Sequence, residues 1–172
     1  MRIIAGAWRG RAIVAPEGAD TRPTSNRARE ALFSMLVSRI GDFEGLRVAD
    51  LFAGSGSLGL EALSRGAAHC TFVESDRAAL DAIKANVAKL GANAQVQAGT
   101  AENFHGGPFD LVFVDPPYLS GLGHKALAKI TVAPGGWASI ETARTEDVAV
   151  DGYEVDTERK YGKAKITLLR KL

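Results

Sequence analysis

The sequence has little with which to build a covalent or metal-bound scaffold. It holds one cysteine, Cys70, and three histidines in 172 residues. A single thiol cannot close an internal disulfide, which suits a reducing compartment. Cys70 stands in the apolar run Cys70-Thr71-Phe72-Val73, where a buried structural thiol is expected rather than a nucleophile. His69, His105 and His124 have no ligand-like spacing to one another or to Cys70, so no metal site is expected. No apolar run approaches the length of a membrane span, and the N-terminus lacks a signal-peptide pattern. A cytoplasmic protein without a membrane partner is therefore expected. There is also no internal repeat, no low-complexity tract and no obvious second core-forming domain.

Net charge is nearly absent, at +1, but its distribution is uneven. Residues 1–40 carry seven arginines and three acids, a balance of +4, and residues 159–172 carry six basic residues and no acid, a balance of +6. The stretch between them carries −9. Basic ends around an acidic centre suit contact with a polyanion such as nucleic acid phosphate. Two solvated termini would give the same numbers, and charge alone does not choose between these readings.

What is present is an alternation of strand and helix. Residues 2–15 read as two short strands, Arg2–Ala5 and Arg11–Val14, around the turn Gly6-Ala7-Trp8-Arg9-Gly10. Arg9, Arg11 and Trp8 together could hold phosphates and stack on a base; a structural hairpin covering a sheet edge, with Trp8 in the core, competes with that reading. Residues 16–23 are a polar loop. Thr24 opens a helix to about Ile40, with Ala28, Leu32, Met35 and Leu36 on one apolar face, Thr24 or Ser25 as cap and Gly41 as stop. Its first turn carries Asn26, Arg27 and Arg29, where orphaned N–H groups attract anions.

From Arg47 the pattern is that of a parallel sheet wound through βαβ units. Strand Arg47–Phe52 leads through Gly54-Ser55-Gly56 into a helix over Ser57–Arg65, followed by strand Ala68–Glu74 and helix Arg77–Leu90. Strand Ala94–Ala98, a helical turn over Ala101–Phe104 and strand Leu111–Val114 come next. A helix near His124–Ile130 leads through the turn Pro134-Gly135-Gly136 to strand Trp137–Ile140. Strands near Gly152–Thr157 and Lys165–Leu169 close the chain as an antiparallel hairpin.

Two loops carry the chemistry. Gly54, Gly56 and Gly59 satisfy G-x-G-x-x-G, and Glu74 lies twenty residues beyond Gly54, where an acid can hold ribose hydroxyls. A nicotinamide-dependent oxidoreductase would fit that pattern equally. However, Asp50 stands just before the loop, where a pyrophosphate would meet a negative charge, and the chain offers no separate substrate domain. A ligand bearing an ammonium and a sulfonium would welcome the same charge. This acid followed by a glycine turn resembles the class I S-adenosylmethionine methyltransferases. The resemblance implies a Rossmann-like α/β fold with a mostly parallel seven-stranded sheet and S-adenosyl-L-methionine as cofactor. It places Asp50, Phe52, Ala53, Gly54, Ser55 and Gly56 on the methionine part, Glu74 with Ser75 on the ribose, and Thr100 with Ala101 beside the adenine.

The second loop is Asp115-Pro116-Pro117-Tyr118, at the end of the fourth sheet strand. An exocyclic amine on a base is a poor nucleophile because its lone pair is delocalised into the ring. Asp115 can accept one N–H and the Pro116 carbonyl the other, which aims that lone pair. Pro116 and Pro117 fix the backbone, and Tyr118 can stack on a base that has left its helix. A plain turn with a packed tyrosine is the competing reading.

The resemblance narrows to one family. Arg2-Ile3-Ile4-Ala5-Gly6 with Trp8-Arg9-Gly10-Arg11, then Arg22-Pro23-Thr24 with Arg27, Arg29-Glu30 and Leu32-Phe33, are similar to blocks of the bacterial 16S ribosomal RNA guanine-N2 methyltransferases of the RsmD type. So are Asp50–Gly59, Leu60–Gly66, Phe113–Tyr118 and Tyr161-Gly162. This implies methyl transfer to the 2-amino group of a guanine in the small subunit or an assembly intermediate. It also implies an RNA-holding set of Arg2, Trp8, Arg9, Arg11, Arg22, Thr24 and Arg27, a basic hairpin extension over residues 1–23, a methyltransferase domain over 24–172, and a monomer. Glu141, Arg22 and Asn26 are further candidates to line the pocket. A DNA adenine-N6 or cytosine-N4 methyltransferase is the alternative with the same chemistry, although little sequence remains for a target-recognition segment.

Overall fold

The structure is a computed structural model that describes residues 1–16 and 26–172. The expected positions of Arg22 and Thr24, and the cap at Thr24 or Ser25, lie outside the described residues. The elements are α1 (Asn26–Ile40), β1 (Arg47–Leu51), α2 (Ser57–Ser64), β2 (His69–Glu74), α3 (Arg77–Leu90) and β3 (Ala94–Ala98). A 3₁₀ turn over Ala101–Asn103 follows, then β4 (Phe109–Val114), α4 (Leu122–Lys129), β5 (Val132–Ala143), β6 (Tyr153–Tyr161) and β7 (Ala164–Lys171).

Seven strands form one sheet in the order β3-β2-β1-β4-β5-β7-β6. β1 pairs in parallel with both β2 and β4, whereas β7 runs antiparallel between β5 and β6. This is the Rossmann-like class I methyltransferase arrangement. The chain winds outward from β1 in one direction and from β4 in the other, so the switch point lies between these two strands. Ligands of open α/β sheets sit beyond the strand ends at that point.

Helices cover both faces, so the central strands are nearly continuous apolar runs. Alternate residues feed two cores. Val48, Phe72, Leu111, Phe113, Ile166 and Leu168 lie with Phe33 and Leu36 of α1 on one side. Leu51, Val73, Val112, Val114, Ile140 and Leu169 lie with Ala126 and Leu127 of α4 on the other. Asp76 caps α3 by accepting the Ala79 N–H at 3.0 Å, and Gly91 ends it at φ 64°.

Three details differ from the sequence reading. Pro134-Gly135-Gly136 does not end an element; it lies inside β5, and the β4–β5 register shifts between Phe109 and Leu111. The strand absorbs the segment as a local irregularity. The N-terminal pair is not two full strands but a loop closed by one antiparallel bridge, Arg2 with Ala12. Backbone bonds cross the loop from the N–H groups of Ile3, Gly10 and Ile13 to the carbonyls of Arg11, Ile3 and Met1, and other backbone groups bond to side chains of α2 and α3. The third detail is Arg29, placed by the sequence in an anion-attracting first turn but buried in the structure. It is only 2% exposed and donates to the Arg2 carbonyl and the Asn26 side chain.

Candidate functional site

The glycine loop joins β1 to α2 through unusual backbone. Phe52 takes φ 57°, a left-handed conformation that costs a residue with a Cβ, and such strain gathers at functional sites. Gly54 and Gly56 are also left-handed, at φ 59° and 80°. Beyond Gly54 nothing stands within 4 Å of where a Cβ would be, leaving the loop open on that side. Gly59 does the opposite work. A Cβ there would lie 2.6 Å from the Cys70 sulfur and 2.5 Å from the Phe72 ring, so a glycine lets α2 rest directly on β2.

Glu74 ends β2 facing this loop. Its carboxylate accepts three backbone N–H groups, from Gly54, Ser75 and Asp76, each at 2.8 Å. Oε2 accepts two of these bonds and Oε1 one, which fixes both oxygens and leaves one further lone pair, on Oε1. Phe52, Glu74, Ser75, Thr100, Ala101 and Pro117 share the wall of one cavity of about 130 Å³. The structure thus brings together the residues expected around a ribose and an adenine. It also sets the Asp-Pro-Pro-Tyr loop against them. Thr100 is exposed and accepts the Asn103 side-chain N–H at 2.8 Å.

Asp50 lies beneath the loop rather than in the crevice. It is 2% exposed and accepts the Gly59 N–H at 3.0 Å. Burial pushes its pKa up to about 8, with the Gly59 N–H pulling down and the nearby Glu74 charge pushing up. Cys70 is buried as expected, and burial drives its pKa well above the usual thiol value, which makes it inert.

Asp115 continues β4 past Val114, and its N–H reaches the Leu51 carbonyl at 3.4 Å, tying the two loops together at the switch point. Its side chain does not line the Glu74 cavity. It lines a separate notch of about 20 Å³ with Leu32, Leu58, Ser139, Glu141 and Ile166. Tyr118 donates its hydroxyl to Glu141 at 3.4 Å. Glu141 is inside β5, not past its end.

The N-terminal segment is docked on the site's scaffold. Ile3 and Ile13 are buried in the core beside α1. Glu61 of α2, fully buried, accepts the Ile4 and Ala5 N–H groups. Asn86 of α3 accepts the Val14 N–H and donates to the carbonyls of Val14 and Ser55. This one side chain braces the extension and the glycine loop. Both polar groups escaped the sequence reading, although Asn86 falls three residues after Ile83 on the apolar stripe of α3, where a polar residue signals a buried bond.

Arg2, Arg9, Arg11 and Arg27 are exposed. Arg11 is partly engaged, donating to the Lys89 carbonyl at 3.2 Å. Trp8 is half-buried against the core, with its N–H on the Ser64 hydroxyl. Ser64 ends α2, so Trp8 and Arg9 sit about 12 Å along that helix from the glycine loop. The crevice therefore gathers the two chemical loops but not the tip of the N-terminal hairpin.

A family model described as conserved hypothetical protein 95 matches residues 1–170. The chain is 48% identical over 126 residues to ribosomal RNA small subunit methyltransferase D of Escherichia coli K12, covering 71% of this chain and 62% of that protein. Against the Haemophilus influenzae protein of the same name, identity is 40% over 136 residues, covering 74% of this chain and 69% of the relative. A solved Escherichia coli chain, described as a candidate methyltransferase, superposes with a TM-score of 0.86 at 35% identity, covering 99% of this chain and 97% of that one. The chain therefore belongs to the conserved hypothetical protein 95 family, and its relatives there are the RsmD-type methyltransferases.

Proposed function

We propose that this protein transfers the methyl group of S-adenosyl-L-methionine to the exocyclic 2-amino group of a guanine in small-subunit ribosomal RNA. The observation that carries this reading is the division of the crevice at Asp115–Tyr118. Glu74 commands a cavity on one side, and Asp115 and Glu141 share a notch on the other. The relatives named for small-subunit ribosomal RNA support the substrate class.

When bound, S-adenosyl-L-methionine supplies a methyl group already activated on a cationic sulfur. The chain's own residues bind and orient. Glu74 has a lone pair left on Oε1 to accept a ribose hydroxyl, Thr100 and Ala101 flank the adenine side, and the open face at Gly54 admits the methionine part. Asp115 and the Pro116 carbonyl accept the two amine N–H bonds, and Tyr118 supplies a ring for the extruded base. Positioning of this kind yields large accelerations once the leaving group is activated. The exposed arginines 2, 9, 11 and 27 would extend the RNA footprint away from the crevice.

Asp50 gives a pH signature. With its pKa at about 8 in the free protein against 3.8 as an ordinary carboxyl, it is largely protonated at neutral pH. A cation seated above it favours the carboxylate, so cofactor binding releases a proton. Affinity is expected to rise with pH up to about 8 and then level. Titration calorimetry at pH 7 in buffers of different ionisation enthalpy should show release of a fraction of a proton in the wild type and none in Asp50→Asn. The sign for folding is opposite. A raised native pKa stabilises the fold most below pH 4, and that contribution is lost as pH rises through about 8.

The substrate reading is tested with methyl-labelled cofactor on unmodified small subunits, naked 16S RNA and duplex DNA, each digested to nucleosides for mass spectrometry. Label is expected in N2-methylguanosine, strongest with the subunits. Label in N6-methyladenine or N4-methylcytosine of DNA would keep the site and overturn the substrate.

A further inference from the structure

Asp115 and Glu141 are neighbours by sheet register. β4 and β5 run parallel with Phe113 opposite Ser139 and Val114 opposite Ile140, so the next step sets Asp115 beside Glu141. Side chains alternate along a strand. Asp115 follows Leu111 and Phe113, whose side chains enter the core beneath α1, and Glu141 follows Trp137, which packs against that core. Both side chains therefore leave the sheet on one face, from chain segments about 5 Å apart, and both residues line the same notch. Ile166 of β7, paired with Glu141, closes its far wall, and Leu32 and Leu58 close the others. The notch thus presents apolar walls and hydrogen-bond acceptors. Only one polar contact from Glu141 within the site is recorded among the described residues, the long one from the Tyr118 hydroxyl at 3.4 Å.

A base entering beside Asp115 must match those acceptors. Guanine carries three donors in a row along one edge, the N1–H and both hydrogens of the 2-amino group, whereas adenine and cytosine present a ring-nitrogen acceptor next to their amine. Resting on the methyl-transfer reading above, we infer that Glu141 accepts the guanine N1–H while Asp115 and the Pro116 carbonyl hold the amine. Glu141 is then the residue that selects guanine, because a purine with a bare N1 would set its lone pair against a carboxylate. At about 20 Å³ the notch holds no base as it stands. The base edge must take the place of the Tyr118 hydroxyl on Glu141, and the tyrosine ring is thereby released to stack.

The test uses small subunits reconstituted with 16S RNA that carries either guanine or 2-aminopurine at the methylated position. The analogue keeps the 2-amino group and lacks the N1–H. The wild type is expected to prefer guanine at least about 100-fold in kcat/KM, since sites built to bond a donor reject analogues without it. Glu141→Gln, whose amide can donate to a bare N1, should narrow that preference to within about threefold, with methylation of 2-aminopurine rising in absolute terms. Tyr118→Phe should leave the preference intact. Equal losses on both substrates in Glu141→Gln would reduce Glu141 to a brace for Tyr118 and overturn the inference alone. Wild-type protein that forms no N2-methylguanosine on guanine subunits would overturn both the inference and the reading beneath it.

Discussion

Asp115→Ala is expected to lower turnover on small subunits about 10³-fold, within the range for losing a group that positions or accepts a proton in the transition state. Affinity for S-adenosyl-L-methionine should change less than about threefold. The separation follows from the two cavities: Asp115 lines the notch with Glu141, not the space walled by Glu74 and Thr100. The Asp115 bond to the Leu51 carbonyl uses its backbone N–H and survives the substitution, so the strand ends stay tied. Single-turnover rates at saturating cofactor, beside calorimetric titration of the same variant, measure both halves. Loss of cofactor binding equal to the loss of turnover would sink the amine-acceptor role. Asp115→Asn separates charge from shape. Its amide oxygen still accepts one N–H, so a smaller loss than in the alanine variant is expected.

Much of the candidate site's placement was legible because its signals are local. The glycine spacing, the acid twenty residues on and the Asp-Pro-Pro-Tyr loop each follow a strand that periodicity reveals. In an open parallel sheet, strand ends at the switch point converge without further information. The closing hairpin over Gly152–Thr157 and Lys165–Leu169 was legible as a pair, but its longer strands and the insertion of β7 between β5 and β6 were not. That insertion depends on β5 offering its edge to the last strand, a choice made by packing. Glu61, Asn86 and Arg29 were misread or missed for a shared reason. Each is a buried polar side chain whose partners include backbone groups distant in sequence. Periodicity marks a residue's face, not what waits there. Pro134-Gly135-Gly136 misled in the other direction, since turn-forming residues can also sit in an irregular strand.

Glu74→Ala is expected to weaken cofactor binding roughly 10–10²-fold, from the loss of a charge-assisted bond to a ribose hydroxyl at about 1.5–3 kcal/mol. The effect has a second source in the free protein. The carboxylate holds the N–H groups of Gly54, Ser75 and Asp76, and its removal frees the glycine loop from the end of β2. Glu74→Gln is the sharper test. A glutamine oxygen can replace only one carboxylate oxygen; its amide would point two donors either at Gly54 or at the Ser75 and Asp76 N–H pair. Donor facing donor turns this isosteric change into a repulsive one, so glutamine should be about as damaging as alanine. Calorimetric titration of S-adenosyl-L-methionine into the three proteins decides the matter. A glutamine variant within about threefold of wild type would mean that neither the braces nor the ribose contact needs the second oxygen. Turnover at saturating cofactor should fall far less than in Asp115→Ala, because Glu74 grips a part of the ligand remote from the reacting amine. Opposite profiles from the two carboxylates are what a crevice divided by Pro117 requires.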